Sequence, residues 1–382
     1  MESLADIRHT LHTIPEPSGS EQQTADYIAQ KLRDTQPDAL FTNIGGHGII
    51  AVYESGTPGP CIGIRAELDA LPITEQNTLP YGSTHEGYAH SCGHDGHMTI
   101  ILGLAYWLQK EKTKLSGKVI LIFQPAEENA SGAKLVVSDN SFCTLSLDYI
   151  FSLHNVPGYP VGTILIKQGV FAQASKGLIV SLHGKSSHAA HPSQGINPVL
   201  AMTDGIQQLI QIPESLSSRD QSNLVTIIHA RLGKIAFGTS PGEATIMATF
   251  RSSQDEHLQR MSESAESLIA TIAHQHGLTY SIEWVDHFPA VSNDDRCVEI
   301  IKSAAQQLEY DIHQLSHPFL WSEDFSYFTQ HIKGAMFGIG SGENHPHLHN
   351  PNYDFPDEII NPTVQLYQHI ILTILYPEKK QV

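Results

Sequence analysis

Apolar runs alternate with segments of helical spacing along the first part of the chain. Residues 25–32 carry apolar side chains at positions i, i+3, i+4 and i+7, which predicts an amphipathic helix. Nearly continuous apolar runs predict strands buried on both faces of a sheet, namely IIAVYE (49–54), CIGIRAELD (61–69), KVILIF (118–123), YIFSLH (149–154) and GTILIKQ (162–168). Helical segments at about 94–110 and 131–138 lie between these strands. This alternation favours an α/β layer structure.

The pattern changes at Gly177, from which strands and helices follow in the order βαββαβ over roughly 110 residues. That order is typical of a ferredoxin-like two-layer sandwich. The chain then returns to α/β character, with helices near 294–308 and 357–375 and the strand AMFGIG at 335–340. A chain of 382 residues exceeds the usual size of one hydrophobic core. We therefore expect a split α/β domain with a mixed β-sheet flanked by helices (1–172 and 289–382) and an inserted ferredoxin-like βαββαβ domain (173–288).

Charge and composition exclude several classes of partner. The chain has 22 basic and 40 acidic residues, a formal net charge of −18, so its field repels nucleic-acid phosphates and anionic membranes. No apolar run approaches the ~18–20 residues that a membrane span needs, and no signal peptide is visible at the N-terminus. The four cysteines are scattered without a disulfide framework. We expect a cytoplasmic protein with no nucleic-acid or membrane partner.

The segment SCGHDGH, Ser91 to His97, concentrates groups that bind metals. It holds one thiol, two imidazoles and one carboxylate, and Gly93 and Gly96 let the backbone turn tightly. An apolar run of helical length follows, so the donors lie in a loop that leads into a helix. Donors of this kind suit a transition metal such as zinc, manganese, cobalt or nickel.

Further donors follow the predicted strands. They are Asp69, the pair Glu127 and Glu128, His154, and the histidines of HPHLHNPNYDF, which are His345, His347 and His349. A single histidine or glutamate at a strand end is more often structural than functional. However, sites in α/β sheets gather at the carboxyl ends of strands, and all of the strand-end donors share that placement. The pattern therefore indicates one shared metal site.

Seven motifs in this order resemble a known family, the di-metal amidohydrolases that include aminoacylase, hippurate hydrolase and the plant indoleacetyl-amino-acid hydrolases. These enzymes are relatives of metallo-carboxypeptidases that carry an inserted dimerisation domain. The motifs span nearly the whole chain and are RAELDALPITE (65–75), SCGHDGH (91–97), LIFQPAEE (121–128), LHNVP (153–157), GKSSHAAHP (184–192), SEDFSYF (322–328) and LHNPNYDF (348–355).

The resemblance implies a role for each matching residue. The implied metal ligands are Cys92, His94, Glu128, His154 and His349. Glu127 resembles the general base and Asp69 the aspartate that supports a metal ligand, whereas Asp95 and His97 match supporting or capping positions better than ligands. His188, with His191 as its competitor, resembles the insert-domain histidine that reaches the site, often in the partner subunit.

Five ligands are too few for two separately filled cations, so we expect two divalent metal ions per subunit with a bridging group and a bridging water. A water shared by two divalent ions loses its proton near neutral pH, so this water would be the nucleophile. We expect a homodimer that hydrolyses the amide bond of an N-acyl amino acid or a related small amide. The alternatives are a dipeptidase or carboxypeptidase of the same superfamily, and a metal-binding protein without catalysis.

One segment departs from the family pattern. Family members carry an Asn-Val-Ile-Pro type segment in the insert domain that helps to anchor the substrate carboxylate. The corresponding stretch here, FGTSPGEATI (237–246), has no asparagine. Arg251 could supply a cation for that carboxylate or could be structural.

Overall fold

The structure is a computed structural model that describes residues 2–215 and 223–376. Its ten α-helices in the described residues are α1 (Leu4–His12), α2 (Gln22–Asp34), α3 (His94–Glu111), α4 (Gly132–Val137), α5 (Asn140–Cys143), α6 (Val199–Ser215), α7 (Asp255–Gln275), α8 (Asp295–Gln307), α9 (Ser326–Thr329) and α10 (Ile360–Leu375). The strands of the first half are β1 (Ala39–Ile44), β2 (Gly48–Glu54), β3 (Cys61–Glu67), β4 (Lys118–Gln124), β5 (Tyr149–Val156), β6 (Ile164–Ile166), β7 (Gly169–Ala172) and β8 (Ala174–His183). The remaining strands are β9 (Ser187–His188), β10 (Leu224–Leu232), β11 (Thr239–Ser240), β12 (Glu243–Ser252), β13 (Thr279–Phe288), β14 (Val291–Asn293), β15 (Ile312–Gln314) and β16 (Lys333–Gly340).

The chain forms two compact units. The first comprises Met1–Phe171, Val291–His317 and Asp324–Val382, and the second comprises Ala172–Ala290 and Pro318–Glu323. Each unit has its own hydrophobic core.

The first unit is built on an eight-stranded mixed sheet in the order β1-β2-β4-β3-β5-β16-β6-β15. Its centre is parallel, because β4, β3, β5 and β16 run in the same direction. Strand β2 is antiparallel to both of its neighbours, whereas β6 is antiparallel to β16 and parallel to β15. Every residue of β3 is buried, as the continuous apolar run predicts. The mixed sheet flanked by helices is confirmed.

The second unit contains a four-stranded antiparallel sheet in the order β10-β12-β8-β13. With α6 after β8 and α7 after β12, the chain order is βαββαβ, and the ferredoxin-like fold is confirmed. In α7 the residues Leu258, Met261, Ala265, Ile269 and Ile272 are buried, and their spacing forms the apolar stripe that covers the sheet.

The hydrophobic pattern of the sequence does not predict two elements of the first unit, α1 and β1. Helix α1 starts with a capping box in which Asp6 N donates to Ser3 Oγ and Ser3 N donates to Asp6 Oδ2, both at 3.1 Å. Two buried positions of α1 are occupied by Arg8 and His12, so its buried face lacks the apolar spacing that would predict a helix. Strand β1 lies at the sheet edge and is half exposed, so it lacks a continuous apolar run.

Within residues 2–215 and 223–376, no helix has both the length and the apolar content that crossing a bilayer requires.

Candidate metal centre

Three neighbouring parallel strands end at one edge of the large sheet. Strand β3 leads into Asp69, β4 leads into Glu127 and Glu128, and β5 contains His154 near its end. The loop Ser91–Gly93 opens α3 at the same edge, because His94 Nδ1 hydrogen-bonds to the carbonyl oxygen of Asp69 at 2.8 Å. Residues that are far apart in sequence therefore meet at this edge.

The donor atoms fall into overlapping groups of three, within each of which all the atoms lie within 4.8 Å of one another. These groups are Cys92, His94 and His154; His94, Glu127 and Glu128; and Cys92, Glu128 and His349. Cys92 Sγ is 3.4 Å from His154 Nε2, and Glu128 Oε1 lies 3.9 Å from His94 Nε2 and 3.8 Å from His349 Nε2. The structure thus brings all five predicted ligands and the predicted base together.

The chemistry of the cluster fits a transition metal. Thiol, imidazole and carboxylate donors converge, as in sites for zinc and related ions. Among the residues that the structure describes, the buried Nε2 of His94 has no hydrogen-bond partner. A buried nitrogen left without a partner is destabilising unless a further group binds it.

Close contacts at Gly93, just before α3, and at Gly96, in its first turn, fix the start of this helix. Gly93 has φ +91°, and a Cβ there would lie 2.7 Å from Oδ1 of Asn155. A Cβ at Gly96 would lie 2.4 Å from the ring of Phe355. Any larger residue would push the loop away from β5 or from the segment that follows His349.

The segment that carries His349 is attached directly to this loop. His349 N donates to the carbonyl oxygen of Ser91 at 2.9 Å. His349 has φ +65°, a left-handed conformation that is unfavourable for a residue with a side chain. Such strain is typical of functional sites, where the surroundings hold a residue in an unfavourable conformation.

Asp69 supports the cluster through its main chain as well as its carboxylate. Its carbonyl oxygen accepts from His94 Nδ1, so the ring presents Nε2 to the cluster, while the carboxylate Oδ1 is 3.5 Å from the same nitrogen. Its Oδ2 accepts from Glu128 N at 3.0 Å and from Ser18 Oγ at 2.7 Å. The carboxylate therefore holds the backbone of Glu128, and the carbonyl orients His94.

A strained turn presents the two adjacent glutamates. Ala126 and Ala130 have φ of 50° and 61°, and Ala130 N donates to the carbonyl oxygen of Glu127 at 2.8 Å. Ala126 N donates to Oε1 of the buried Glu21 at 2.8 Å. The turn keeps both carboxylates near His94, although adjacent residues in an extended chain point to opposite sides. The sequence pattern gives no sign that Glu21 supports this turn, because Ala126 lies 105 residues further along the chain.

Burial and neighbouring charges set the protonation of the donors. Burial, with the carboxylates of Glu128 and Glu127, raises the pKa of the Cys92 thiol well above its ordinary value. Burial lowers the pKa of His154 to about 3, so its ring is neutral at neutral pH. For His94, burial opposes the charge, but Asp69, Glu67 and Glu128 raise its pKa to about 10. Binding of a metal by Cys92 and His94 therefore displaces protons.

A buried network of charges supports the cluster from beneath the sheet edge. Arg65 in β3 pairs with Glu67, donates from Nε to Gln124 Oε1 at 2.8 Å, and donates from Nη2 to Asp324 Oδ1 at 2.7 Å. Asp324 also accepts from Ala133 N at 2.9 Å. The paired partners offset the desolvation of these buried charges.

A second network fixes the residue after His94. Asp95 accepts from Gly96 N at 2.9 Å, from His12 Nδ1 at 2.7 Å and from Arg8 Nη1 at 3.4 Å. The other ring nitrogen of His12 pairs with Glu75 at 3.1 Å. Helix α1, which the hydrophobic pattern does not predict, thus anchors the start of α3.

We expect His12 to make stability depend on pH. Burial opposes its charge, but hydrogen bonds to Asp95 and Glu75 raise its pKa from 6.5 to about 9. Because the folded-state pKa is raised, its contribution is complete below pH 6.5 and is lost as the pH rises through about 9. The difference corresponds to about 3 kcal/mol.

Denaturant unfolding of the metal-free protein at several pH values measures this contribution. The wild-type protein should lose more stability between pH 6.5 and 9 than His12→Phe does. Parallel curves for the two proteins would show that His12 is not charged in the folded state.

The second unit holds the remaining predicted residues. His188 lies in β9, which pairs with β11 so that His188 faces Thr239, and Ala189 N donates to the carbonyl oxygen of Gly238 at 3.0 Å. The GKSSHAAHP motif therefore contacts the 237–246 segment that departs from the family pattern. The rings of His188 and His191 are 5.8 Å apart.

Arg251 lies near the end of β12 in the same unit. Its Nη1 donates to the carbonyl oxygen of Leu320 and to Ser322 Oγ, both at 2.9 Å. Both acceptors are uncharged, and burial lowers the pKa of Arg251. A half-buried guanidinium held by neutral acceptors can still take an anionic partner.

Comparisons with known proteins agree with the fold and identify the family. A family model described as "Peptidase family M20/M25/M40" matches residues 63–373. An N-acetyl-L-cysteine deacetylase of Bacillus subtilis is 32% identical over 374 residues, covering 96% of this chain and 86% of the relative. A hippurate hydrolase of Campylobacter jejuni is 31% identical over 374 residues, covering 97% and 96%.

A solved structure is similar along the whole chain. It is a dinuclear metal-binding peptidase of the M20 family from Bacillus subtilis, with a TM-score of 0.81, 29% identity and 97% of each chain covered. Fold, site and relatives define the class as an amidohydrolase. The chain belongs to peptidase family M20/M25/M40, which confirms the resemblance seen in the motifs.

Proposed function

We propose that this protein hydrolyses the amide bond of an N-acyl amino acid, using two divalent metal ions held by Cys92, His94, Glu128, His154 and His349. The observation that carries the proposal is the convergence of these donors with Glu127 in overlapping groups within 4.8 Å. The relatives named as N-acetyl-L-cysteine deacetylase and hippurate hydrolase support this substrate class. Zinc, manganese, cobalt and nickel all suit the donor set.

Glu127 handles the proton in the proposed reaction. Two bound cations would supply Lewis acidity, polarising the scissile carbonyl and lowering the pKa of water. Glu127 accepts a proton from the water while the water oxygen attacks the carbonyl carbon of the substrate. When the C–N bond breaks, Glu127 delivers that proton to the leaving amine nitrogen. Glu127 is buried, which strengthens its interaction with charge developing at the reacting atoms.

The second unit contributes two groups at opposite ends of its sheet. His188 lies near the start of β12. Its strand β9 pairs with β11, and Gly184 N, four residues before His188, donates to the carbonyl oxygen of Gly242 at 2.7 Å. Arg251 is eight residues beyond Glu243, the first residue of β12, so about 26 Å of strand separates Arg251 from the end of β12 near His188. One small substrate cannot touch both groups of the same copy. We assign the substrate carboxylate to Arg251 and, following the resemblance of the GKSSHAAHP motif to the family's insert-domain histidine, the developing oxyanion to His188 of a second copy.

A homodimer follows from this assignment. Within the part of the chain that the structure describes, β10 is an edge strand of the second unit's sheet, and its side chains Leu224 and Ile228 are exposed. An exposed apolar edge strand is a ready surface for pairing with another copy.

Mixing two inactive variants tests the contribution in trans. Glu127→Gln and His188→Ala are each expected to be nearly inactive alone. In a random mixture half of the dimers are hybrids with one intact site, so activity should recover to about a quarter of wild type. Light scattering on each sample measures the dimer, and mixing Glu127→Gln with Cys92→Ser is the matched control. That control damages the same centre in both chains and should recover nothing. No recovery in the first mixture, with dimers present, would place His188 in its own chain's site.

A substrate panel tests the function itself. Protein stripped of metal and reloaded with zinc, manganese, cobalt or nickel meets N-acetyl and N-benzoyl amino acids, dipeptides, and matched N-acyl amines that lack the carboxylate. We expect metal-dependent release of amine from the acylated amino acids and little from the matched amines. Release from dipeptides alone would favour the peptidase alternative. Two bound metals without any release would favour the metal-binding protein without catalysis.

We extend the proposal to a cytoplasmic location. All four cysteines are described, and all four are free thiols, as suits a reducing compartment. Fractionation of the native cells, with detection of the protein in the cytoplasmic fraction, tests this part.

A further inference from the structure

His97 is a buried imidazole that the proposed reaction does not use. It lies in the first turn of α3, with its ring centroid 5.6 Å from that of His94 and 5.0 Å from that of His154. The rings of His97 and His154 meet edge to face at 79°. His97 is therefore placed between two proposed metal ligands that come from different elements.

Both ring nitrogens of His97 are engaged by hydrogen bonds. Nδ1 contacts Oε2 of Glu67 at 2.7 Å, and Nε2 contacts Oδ1 of Asn155 at 2.5 Å. Glu67 is fully buried and is held in turn by Arg65. Hydrogen bonds to Glu67 in β3 and to Asn155 in β5 thus fix the orientation of the His97 ring. The rings of His94 and His154 pack against this fixed ring.

Asn155 joins this arrangement to both ligands. Its carbonyl oxygen accepts from His154 Nδ1 at 2.8 Å, which directs Nε2 of that ring toward Cys92. Its side-chain amide lies against Gly93 so closely that a Cβ there would come within 2.7 Å. The amide also donates to the Tyr353 hydroxyl at 2.5 Å. One residue therefore contacts the backbone of the Cys92–His94 loop and fixes the ring of His154.

We propose that Glu67, His97 and Asn155 are positioning residues that set the distance and relative orientation of the His94 and His154 rings, which would hold metal at the proposed centre. This inference rests on the proposed ligand roles of His94 and His154. Groups that orient metal ligands commonly change metal affinity by about 10–100-fold when they are removed.

A third cation is the competing interpretation of the same residues. The donor atoms of Glu67, His94 and His97 lie within 4.8 Å of one another. However, Nδ1 and Nε2 of His97 already contact Glu67 and Asn155, so binding a cation would break one of these hydrogen bonds. The geometry therefore favours positioning over ligation.

Cobalt substitution tests the proposal without relying on turnover. The full-length protein is stripped and titrated with cobalt(II), and the number of bound ions and the visible absorption spectrum are recorded. His97→Phe keeps the ring volume and removes both hydrogen bonds. We expect it to bind two ions, with affinity about 10–100-fold weaker and an altered spectrum.

His12→Phe is the matched control. His12 is equally buried and also engages both ring nitrogens, but its hydrogen bonds go to Asp95 and Glu75 and its ring contacts Tyr81 and His90. It should lower the stability of the metal-free protein and change the cobalt spectrum much less than His97→Phe does, because it reaches the centre only through Asp95. Asn155→Leu, similar in shape, should alter the spectrum as His97→Phe does.

The outcomes separate this inference from the proposed function. Wild-type protein that binds no cobalt would overturn the proposed metal centre. Two ions in wild type, with unchanged affinity and spectrum in His97→Phe and Asn155→Leu, would overturn only the positioning role. Three ions in wild type and two in His97→Phe would make His97 a ligand. If both variants fail to fold while His12→Phe folds, the three residues are needed for folding and the positioning proposal is wrong.

Discussion

Glu127→Gln should lower kcat on an N-acyl amino acid by about 10²–10⁴-fold while leaving the metal content unchanged. Glutamine has the size of glutamate but cannot accept the proton of the attacking water. The five proposed ligands do not include Glu127, so both cations should stay bound. Steady-state kinetics and elemental analysis on the same sample measure the two quantities.

The neighbouring glutamate provides the control for this substitution. Glu128 Oε1 lies 3.9 Å from His94 Nε2 and 3.8 Å from His349 Nε2, so Glu128→Gln should lose metal together with activity. Both variants remove one charge from the same turn, and only the proposed role differs. Metal loss in Glu127→Gln equal to that in Glu128→Gln would contradict the division of roles, because both carboxylates lie near His94.

Cys92→Ser should weaken metal binding by at least about a hundredfold, because a hydroxyl is a far poorer ligand than a thiolate for these ions. The thiol also leaves a signature in proton release. Burial and the nearby glutamates raise the pKa of Cys92, so the metal-free protein keeps its thiol protonated at neutral pH. Binding must then release that proton, and Cys92→Ser should release about one proton fewer.

Titration in a weakly buffered indicator solution measures the proton count, and equilibrium dialysis measures the affinity. Cys143→Ser is the matched variant: Cys143 is exposed, and its thiol contacts the carbonyl oxygen of Val137 at 3.4 Å. Cys143→Ser should match wild type in both measurements. Equal affinity in the two serine variants would remove Cys92 from the centre.

The limits of the sequence pattern are clearest in helix α1 and Glu21. Periodicity finds an element when its buried face is apolar, as in β3 or α7. The buried positions of α1 include Arg8 and His12, whose partners Asp95, Asp354 and Glu75 are distant in the chain. Glu21 contacts the backbone of Ala126 across 105 residues. No local pattern records such pairings.

The amino-acid sequence by itself determined the α/β class of the first unit and the βαββαβ order of the second, because the burial of strands and helices leaves a period of two or 3.6 residues in the chain. It also specified which donors are present and, through motif order, the family to which the chain belongs. Only the tertiary structure decided how the donors are held. The carbonyl of Asp69 rather than its carboxylate lies at 2.8 Å from His94, and a strained turn keeps Glu127 and Glu128 together. These features depend on distances between atoms of separate elements, and those distances are set only when the strands and α3 pack together in the folded protein.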